Sequence, residues 1–173
     1  MTDTQKQHTF LALLEPEHQA LSDYCRAVQR NRHNAEDLMS DTLLVAFENL
    51  DKLRDRSAFR SYLFGIACRL SKKRYRNEKK SGEWNDEKAD NLISNSSSPD
   101  ANLDVQALYN ALDQLPEKQK NALILFEING FLIREISAIQ NSSEDAVKQR
   151  LKRGREKLAK RLGAKMSKPC KRI

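Results

Sequence analysis

The sequence predicts an all-α fold of two small helical domains joined by a flexible linker. Glycine and proline are scarce, at 5 and 4 of 173 residues, while 32% of residues are charged and 6% are aromatic. This composition favours helices with solvated faces over a β-sandwich with its frequent turns. A polar segment, EWNDEKADNLISNSSSPDAN at residues 83–102, lacks any sustained helical period, as expected of a linker. We therefore expect domains over residues 1–80 and 103–165, a linker over 81–102 and a basic tail over 166–173.

The first domain opens with apolar residues at helical spacing from Leu11 to Val28. Pro16 interrupts this pattern, which predicts two helices rather than one. Asn34 is suited to cap a third helix, because an Asn side chain can accept a hydrogen bond from the first turn. That helix is expected to run from about Ala35 to Leu50.

The third helix carries two stripes at a spacing of three or four residues. The apolar stripe, expected to face the core, comprises Met39, Leu43, Ala46, Phe47 and Leu50. The other stripe is acidic and includes an exposed leucine; it comprises Asp37, Asp41, Leu44 and Glu48. After a polar turn, a fourth helix is expected to begin near Ser57 and to bury Phe59, Leu63, Ile66 and Leu70. It ends in the basic run SKKRYRNEKK.

The second domain shows the pattern of a four-helix domain with a helix-turn-helix. Its first helix, Leu103–Leu115, is stopped by Pro116, which can begin the next helix. Asn129-Gly130 ends that helix with residues that tolerate left-handed backbone. A short helix over Phe131–Ile139, the turn QNSS and a long basic helix to about Leu162 then complete the motif.

The long basic helix has a predicted cap, an inner face and an outer face. Ser142 or Ser143 can cap it, and Ser142 with Asp145 forms an approximate capping box. The inner face is anchored by Val147, Leu151 and Leu158. Side chains suited to the DNA major groove project outward: Lys148, Gln149, Lys152 and Arg153, flanked by Arg150 and Arg155.

The net charge of +7 is concentrated in two blocks. Residues 51–80 contain eleven Lys and Arg against three Asp and Glu, and residues 141–173 contain twelve against three. The remaining segments are acidic overall. Two basic surfaces in separate domains predict contact with a polyanion at two places.

Cysteine usage and hydropathy exclude several classes of protein. The three cysteines are widely spaced and form no Cys-x-x-Cys or Cys/His ligand pattern, so neither a disulfide framework nor a metal site is expected. Cys25 and Cys68 are expected to be small buried hydrophobes. No apolar run approaches the ~20 residues that span a bilayer, and the N-terminus lacks a signal-peptide pattern. We expect a cytoplasmic protein without membrane insertion.

Four stretches together resemble the bacterial extracytoplasmic-function (ECF) sigma factors, the two-domain promoter-recognition subunits of RNA polymerase. They are AEDLMSDTLLVAFENLDKL from Ala35, SAFRSYLFGIACRL from Ser57, LDQLPEKQKNALILFEINGFLIREISAI from Leu112 and AVKQRLKRGREKL from Ala146. The resemblance covers nearly all of residues 10–162 in the family's order. It implies a non-catalytic initiation subunit that needs no cofactor.

The resemblance also implies partners and the residues that contact them. Core RNA polymerase would be bound through its β′ coiled coil and β flap, the coiled coil by Asp37, Ser40, Asp41, Leu44 and Glu48. The minus-10 promoter element would be read or held by Tyr62, Arg69, Lys72, Lys73 and Arg76. The minus-35 element would be contacted by Lys148, Gln149, Arg150, Lys152 and Arg153. Many relatives are held inactive by an anti-sigma factor, which is a further expected partner.

The chain departs from the family pattern at several of these positions. Tyr62 stands where Trp is usual, Gly65 where Arg is usual and Arg69 where Asn is usual. Asp145-Ala146 replaces a usual Gly-Thr before the recognition helix. These changes predict an unusual promoter, or weak intrinsic DNA affinity that polymerase offsets.

Three other functions fit parts of the sequence. A stand-alone regulator would use the second domain only and bind duplex DNA tightly without polymerase. A metal-dependent nuclease would use Glu36, Asp37 and Asp41 as magnesium ligands. An adaptor would bind a protein partner and no DNA, which the charge of the C-terminal block disfavours.

Overall fold

A computed structural model describes residues 2–81 and 99–163, with side chains described from residue 105 onward in the second range. The chain forms two compact units, Met1–Asp86 and Glu87–Ile173. Every regular element in the described ranges is helical, so the all-α prediction is confirmed. Most of the predicted linker and the whole basic tail lie outside the described residues. No described helix is both long and apolar enough to cross a membrane.

The first unit contains four α-helices in its described part. They are α1 (Asp3–Leu14), α2 (His18–Val28), α3 (Arg32–Glu48) and α4 (Phe59–Ser81), with 3-10 turns at Leu50–Lys52 and Arg56–Ala58 before α4. The break near Pro16 is confirmed. Helix α3 packs between α2 and α4. The core has aromatic contacts of edge-to-face type, with ring centroids 5.4 Å apart for Phe10 and Phe47 and 5.6 Å apart for Tyr24 and Phe64.

Helix α3 begins three residues earlier than predicted, because Asn31 and not Asn34 is its cap. The Asn31 side chain accepts hydrogen bonds from the backbone N–H groups of His33 and Asn34 at 2.8 and 3.4 Å. Asn31 has extended backbone, whereas Asn34 already lies within the first turn. Both residues are suitable caps by type, so only the path of the chain decides between them.

The buried stripe of α3 also differs from the predicted one. Its buried residues are Ala35, Leu38, Thr42 and Ala46, whereas Met39, Leu43 and Phe47 are only partly buried. Small side chains let α3 fit between two neighbouring helices. The buried Thr42 hydroxyl donates to the Leu38 carbonyl at 2.7 Å, so this polar residue is tolerated in the core.

Helix α4 is preceded by a capped turn. Asp55 accepts from the backbone N–H and the hydroxyl of Ser57 at 2.9 and 2.7 Å. These two hydrogen bonds, the hydroxyl's being the stronger influence, lower the pKa of the Asp55 carboxyl. Helix α4 buries Phe59, Leu63 and Ile66 as predicted, but Leu70 is only partly buried, and Phe64, Ala67 and Ser71 extend the buried face.

The second unit contains α5 (Pro99–Asp113), α6 (Glu117–Leu123), α7 (Ile133–Gln140) and α8 (Glu144–Leu162). Helix α6 continues through a π-helical turn at Ile124–Ile128. Helix α5 begins four residues before the predicted Leu103. Helix α8 packs against α5, α6 and α7, which gives the predicted four-helix domain.

Left-handed backbone occurs in the turns before and after α7. Gly130 has φ of +70° after α6 and its π turn, and Asn141 has φ of 49° at the end of α7. The predicted third helix begins at Ile133 instead of Phe131, because the Phe131 N–H donates to the Leu125 carbonyl at 3.0 Å and so still belongs to the end of the preceding helix. Ser143 caps α8 by accepting from the Ala146 N–H at 3.1 Å. The predicted box between Ser142 and Asp145 is therefore wrong.

Candidate protein and nucleic-acid interfaces

The first candidate surface is the outer side of α3, which we call the acidic face and define as Asp37, Ser40, Asp41, Leu44 and Glu48. All of these residues are exposed, and 57% of Leu44 is accessible to solvent. Ser40 donates to the Glu36 carbonyl at 2.9 Å, which leaves its hydroxyl oxygen able to accept. An exposed leucine among carboxylates can supply an apolar contact within an electrostatically complementary interface.

Two cations from other helices border the acidic face. Arg74 of α4 donates from Nη2 to Oδ2 of Asp41 and from Nη1 to the Asn34 carbonyl, the latter at 3.3 Å. Lys6 of α1 donates from Nζ to the Glu48 carbonyl at 3.2 Å and to Oδ2 of Asp51 at 2.7 Å. The hydrogen bond from Lys6 lowers the pKa of Asp51. Lys6 thus supplies a positive charge near the C-terminal carbonyls of α3, where the helix dipole favours one.

The second candidate surface is the outer side of α4, which we call the first basic surface. It comprises Arg69, Lys72, Lys73 and Arg76, of which Lys72 is partly buried and the others are exposed. Their spacing on one helix brings four cations to one side of the unit. Such a row can neutralise successive phosphates of one strand.

Tyr62, also predicted to contact DNA, lies deeper than the basic residues of α4. Its hydroxyl donates to the Ala46 carbonyl of α3 at 3.0 Å, and its ring centroid is 6.2 Å from that of Phe59. Burial raises the pKa of Tyr62, and the positive charge of Arg69 opposes this effect. The ring is therefore held in place by α3 and offers only part of its surface to a ligand.

The third candidate surface is the outer side of α8, which we call the second basic surface and define as Lys148, Gln149, Lys152 and Arg153. All four residues are exposed. The inner side buries Val147 and Leu151, while Leu158 is only partly buried. Ordered inner contacts and exposed donors on the opposite side are what a helix in the major groove requires.

Arg150 and Arg155 flank this surface but are bound to their own domain. Arg150 donates from Nη1 to Oε1 of Gln140 and to Oγ of Ser142, both at 2.8 Å. Gln140 in turn donates to the Lys118 carbonyl at 3.1 Å. This chain of hydrogen bonds connects α8 through the end of α7 to the start of α6. Arg150, predicted to contact DNA, thus also holds the turn.

Arg155 is not the outward-projecting residue that the sequence suggested. Its Nε and Nη2 donate to Oε1 of Glu127 at 3.0 and 2.6 Å, and its guanidinium carbon lies 5.2 Å from the centroid of the Phe126 ring. Ionic and cation–π contacts therefore tie α8 to the π turn after α6. The helical spacing of α8 placed Arg155 beside the outer face, but only the fold shows that Glu127 lies within reach.

Sequence reasoning also missed Gly154, which is buried on the inner side of α8. A Cβ atom at this position would lie 2.7 Å from Cδ1 of Leu123. The missing side chain lets α8 approach α6 closely. A glycine inside an otherwise strong helical pattern was the available signal.

The acidic residues that a nuclease would need do not converge. Glu36 binds Arg32 at 2.9 Å, Asp37 lies 3.4 Å from Nε2 of His33, and Asp41 binds Arg74. Within residues 2–81 and 105–163, no group of three His, Cys, Asp or Glu side chains is placed to hold a metal ion. Each carboxylate lies beside a basic side chain of its own.

Together, a helix-turn-helix with an exposed basic helix, a second basic helix and an exposed acidic face that includes a leucine fit the class of two-domain DNA-binding proteins that also bind a protein partner. Comparison with known families supports this class. Residues 13–81 match the family described as Sigma-70 region 2, and residues 105–158 match Sigma-70, region 4.

Known relatives agree with both matches. The chain is 30% identical over 140 residues to the ECF RNA polymerase sigma factor EcfG of Rhodopseudomonas palustris, covering 81% of this chain and 77% of that protein. It is 28% identical over 150 residues to SigW of Bacillus subtilis, covering 80% of each. The solved sigma factor RpoE of Bartonella quintana, in complex with the anti-sigma factor NepR, superposes with a TM-score of 0.73 at 25% identity, covering 95% of this chain and 100% of that one. The chain belongs to the ECF RNA polymerase sigma factors.

Proposed function

We propose that this sigma factor binds core polymerase through the acidic face of α3 and promoter DNA through its two basic surfaces. It acts as a promoter-recognition subunit without a catalytic site of its own, in the cytoplasm where polymerase transcribes. The observation that carries the proposal is Leu44, 57% exposed on a helix face with Asp37, Asp41 and Glu48. An apolar contact surrounded by carboxylates fits a basic helical partner, such as the β′ coiled coil.

The first basic surface is proposed to hold the separated strand of the minus-10 element. Arg69, Lys73 and Arg76 are exposed cations on one helix, which suits contacts to a single-stranded backbone. Tyr62 is proposed to contribute the accessible part of its ring to an unpaired base. Because the hydroxyl is bound to Ala46, the ring's position is set before DNA arrives, and strand opening is stabilised by capture rather than driven by ATP.

The second basic surface is proposed to read the minus-35 element in the major groove. Gln149 can pair with adenine, and Lys148 and Arg153 can donate to guanine or to phosphates. Arg150 has a double role in this proposal, since Nη1 holds the turn while the rest of the guanidinium faces the groove. The β flap of polymerase is the proposed protein partner of this second domain.

When both basic surfaces are held on one polymerase, each can bind promoter DNA weakly and the promoter is still recognised. Once core polymerase holds the protein, the two DNA contacts act at a high effective concentration on one promoter. We further propose an anti-sigma factor as a regulator, supported by the solved complex of a 25% identical relative with NepR. An inhibitor that covers Leu44 would compete directly with polymerase.

The test is run-off transcription by purified bacterial core polymerase on a genomic promoter library, with and without this protein, followed by sequencing of the starts. We expect new starts that share two spaced elements. Asp41→Arg should abolish them by preventing core binding, whereas Glu15→Arg, an exposed acidic residue outside the acidic face, should not. If no new starts appear and the free protein binds duplex DNA tightly, a stand-alone regulator explains the chain better.

A further inference from the structure

We infer that Arg74 is a positioning residue that holds the Asp41 carboxylate in place for polymerase, an inference that rests on the proposed role of the acidic face. Arg74 belongs by sequence to the basic run at the end of α4. Its geometry separates it from the other cations of that run. It faces α3, and its guanidinium lies beside the acidic face rather than on the first basic surface.

Helical periodicity explains this separation. At about 100° per residue, Arg69, Lys72 and Arg76 lie about 140–160° around the helix axis from Arg74. Arg69 and Arg76 are exposed, while only 26% of the Arg74 side chain is accessible. Arg74 is therefore turned toward the packed side of α4, where Ser71 is buried.

The guanidinium spans two turns of α3. Nη1 donates to the Asn34 carbonyl at 3.3 Å, and Nη2 donates to Oδ2 of Asp41. Asn34 and Asp41 are seven residues apart and so lie on one side of α3. With two anchors on the same helix, the planar guanidinium has a fixed orientation, and it fixes the carboxylate that it binds.

Binding through Oδ2 leaves much of Asp41 available to a partner. The Asp41 side chain is 55% accessible, so a cation of the polymerase can reach the carboxylate without displacing Arg74. A side chain that is already ordered loses less conformational entropy on binding. Arg74 thereby prepares Asp41 for its proposed contact.

The charge of Arg74 has an opposite effect, because it weakens the negative field of the acidic face. This second effect is small for exposed charges that salt screens. We therefore expect positioning to dominate. The two effects also differ in salt dependence. Weaker binding caused by a disordered Asp41 side chain persists at high salt, whereas a change in binding caused by the altered charge of the acidic face does not.

The experiment measures binding of the full-length protein to core polymerase by fluorescence anisotropy. Arg74→Gln is expected to weaken binding about fivefold, as expected when one polar side chain must be ordered on association. Lys80→Gln, which neutralises an exposed cation near the end of the same helix and outside the proposed sites, should leave core binding unchanged. Arg74→Lys, which keeps a cation near Asp41, should restore part of the loss.

A double-mutant cycle with Asp41→Ala separates positioning from a general structural role. We expect Arg74→Gln to have no further effect on core binding once Asp41 is Ala. An equal loss in both backgrounds, or unchanged or tighter binding of Arg74→Gln at 0.5 M salt as well as at low salt, would overturn the inference. If Asp41→Ala alone leaves core binding unchanged, the proposed polymerase site itself fails, and the inference fails with it.

Discussion

The two basic helices, α4 and α8, are held by different kinds of contact. Helix α4 is anchored by large buried side chains, including Phe59, Leu63 and Phe64, and nothing lies within 4 Å of a Cβ built on its glycine, Gly65. Helix α8 buries only Val147, Leu151 and Gly154 completely, and Gly154 is in close contact with α6. Polar ties from Arg150 and Arg155 complete its attachment.

This difference suits the proposed tasks of the two helices. A helix that reads base edges in a duplex must hold its outer side chains at fixed positions. The close approach of α8 to α6 at Gly154 and the hydrogen bonds of Arg150 and Arg155 fix the position and the orientation of α8 on its domain. In its proposed task, helix α4 presents cations to a flexible single strand, which can adapt to the protein. Its anchoring in a deep apolar core supplies stability more than exact orientation.

The largest expected effect comes from filling the close contact of α8. Gly154→Leu would force a side chain against buried Leu123, and overpacking of a well-packed core costs about 1–3 kcal/mol. We expect a loss of about 2–3 kcal/mol in the second unit alone. Hydrogen exchange followed by mass spectrometry measures the two units separately within the full chain.

Gly65→Ala provides the matched control on α4. With open space around this position, alanine should stabilise the helix by about 0.8–1 kcal/mol through its higher helix propensity. Comparable destabilisation by Gly65→Ala and Gly154→Leu would contradict the proposed difference between the helices.

The next expected effect is a loss of stability at alkaline pH that differs between the two units. Burial raises the pKa of Cys25 from 9.0 to about 12, although the positive charge of Arg74 partly opposes this. Above pH 9.0 the unfolded state loses this proton while the folded state keeps it. The contribution of Cys25 to stability is therefore fully present below pH 9.0 and is lost as the pH rises toward about 12. The slope is at most about 1.4 kcal/mol per pH unit. The described residues of the second unit, 99–163, contain no cysteine, so this loss is expected in the first unit and not in that part of the second.

The measurement is hydrogen exchange of the first unit between pH 9 and 10, just above the ordinary thiol pKa of 9.0. Cys25→Ala should flatten the pH slope, and Cys68→Ala serves as a control for the loss of a buried thiol. A slope that survives in Cys25→Ala would assign the alkaline sensitivity to another group.

A smaller effect is expected from the hydrogen-bonded turn of the second unit. Arg150→Ala removes two bonds from a partly exposed guanidinium, which should cost about 1 kcal/mol of stability in that unit. Lys152→Ala, on the exposed side of the same helix, should cost less than about 0.5 kcal/mol. Both variants should weaken binding to minus-35 duplex by the holoenzyme, because both lose a cation. If the two variants are equally stable, Arg150 does not stabilise the second unit in the way that its hydrogen bonds suggest.

The sequence predicted the fold well where local rules decide the outcome. Pro16 and Gly130 mark real breaks, and the exposed acidic face followed from residue spacing alone. The cap of α3, its buried stripe and the partners of Arg74 and Arg155 were not predictable in the same way. They depend on which helices pack against α3 and α8, and single-sequence periodicity does not identify a neighbour. Gly154 was visible in the sequence as an unusual residue within a helix, but the reason for it is the close contact with Leu123, which only the fold shows.

The smallest expected effects test the caps that begin the helices carrying the acidic face and the second basic surface. Asn31 accepts from two backbone N–H groups at the start of α3, whereas Ser143 accepts from one at the start of α8. Replacing a cap by alanine costs about 0.5–2 kcal/mol. We therefore expect Asn31→Ala to cost about 1 kcal/mol and Ser143→Ala about 0.5 kcal/mol in thermal unfolding.

Asn34→Ala is the decisive control for α3, because Asn34 was the equally plausible cap by sequence but contributes only its backbone to the bonds of the first turn. If Asn34→Ala destabilises more than Asn31→Ala, α3 begins where the sequence alone placed it, and the Asn34 carbonyl that anchors Arg74 is no longer part of a regular first turn.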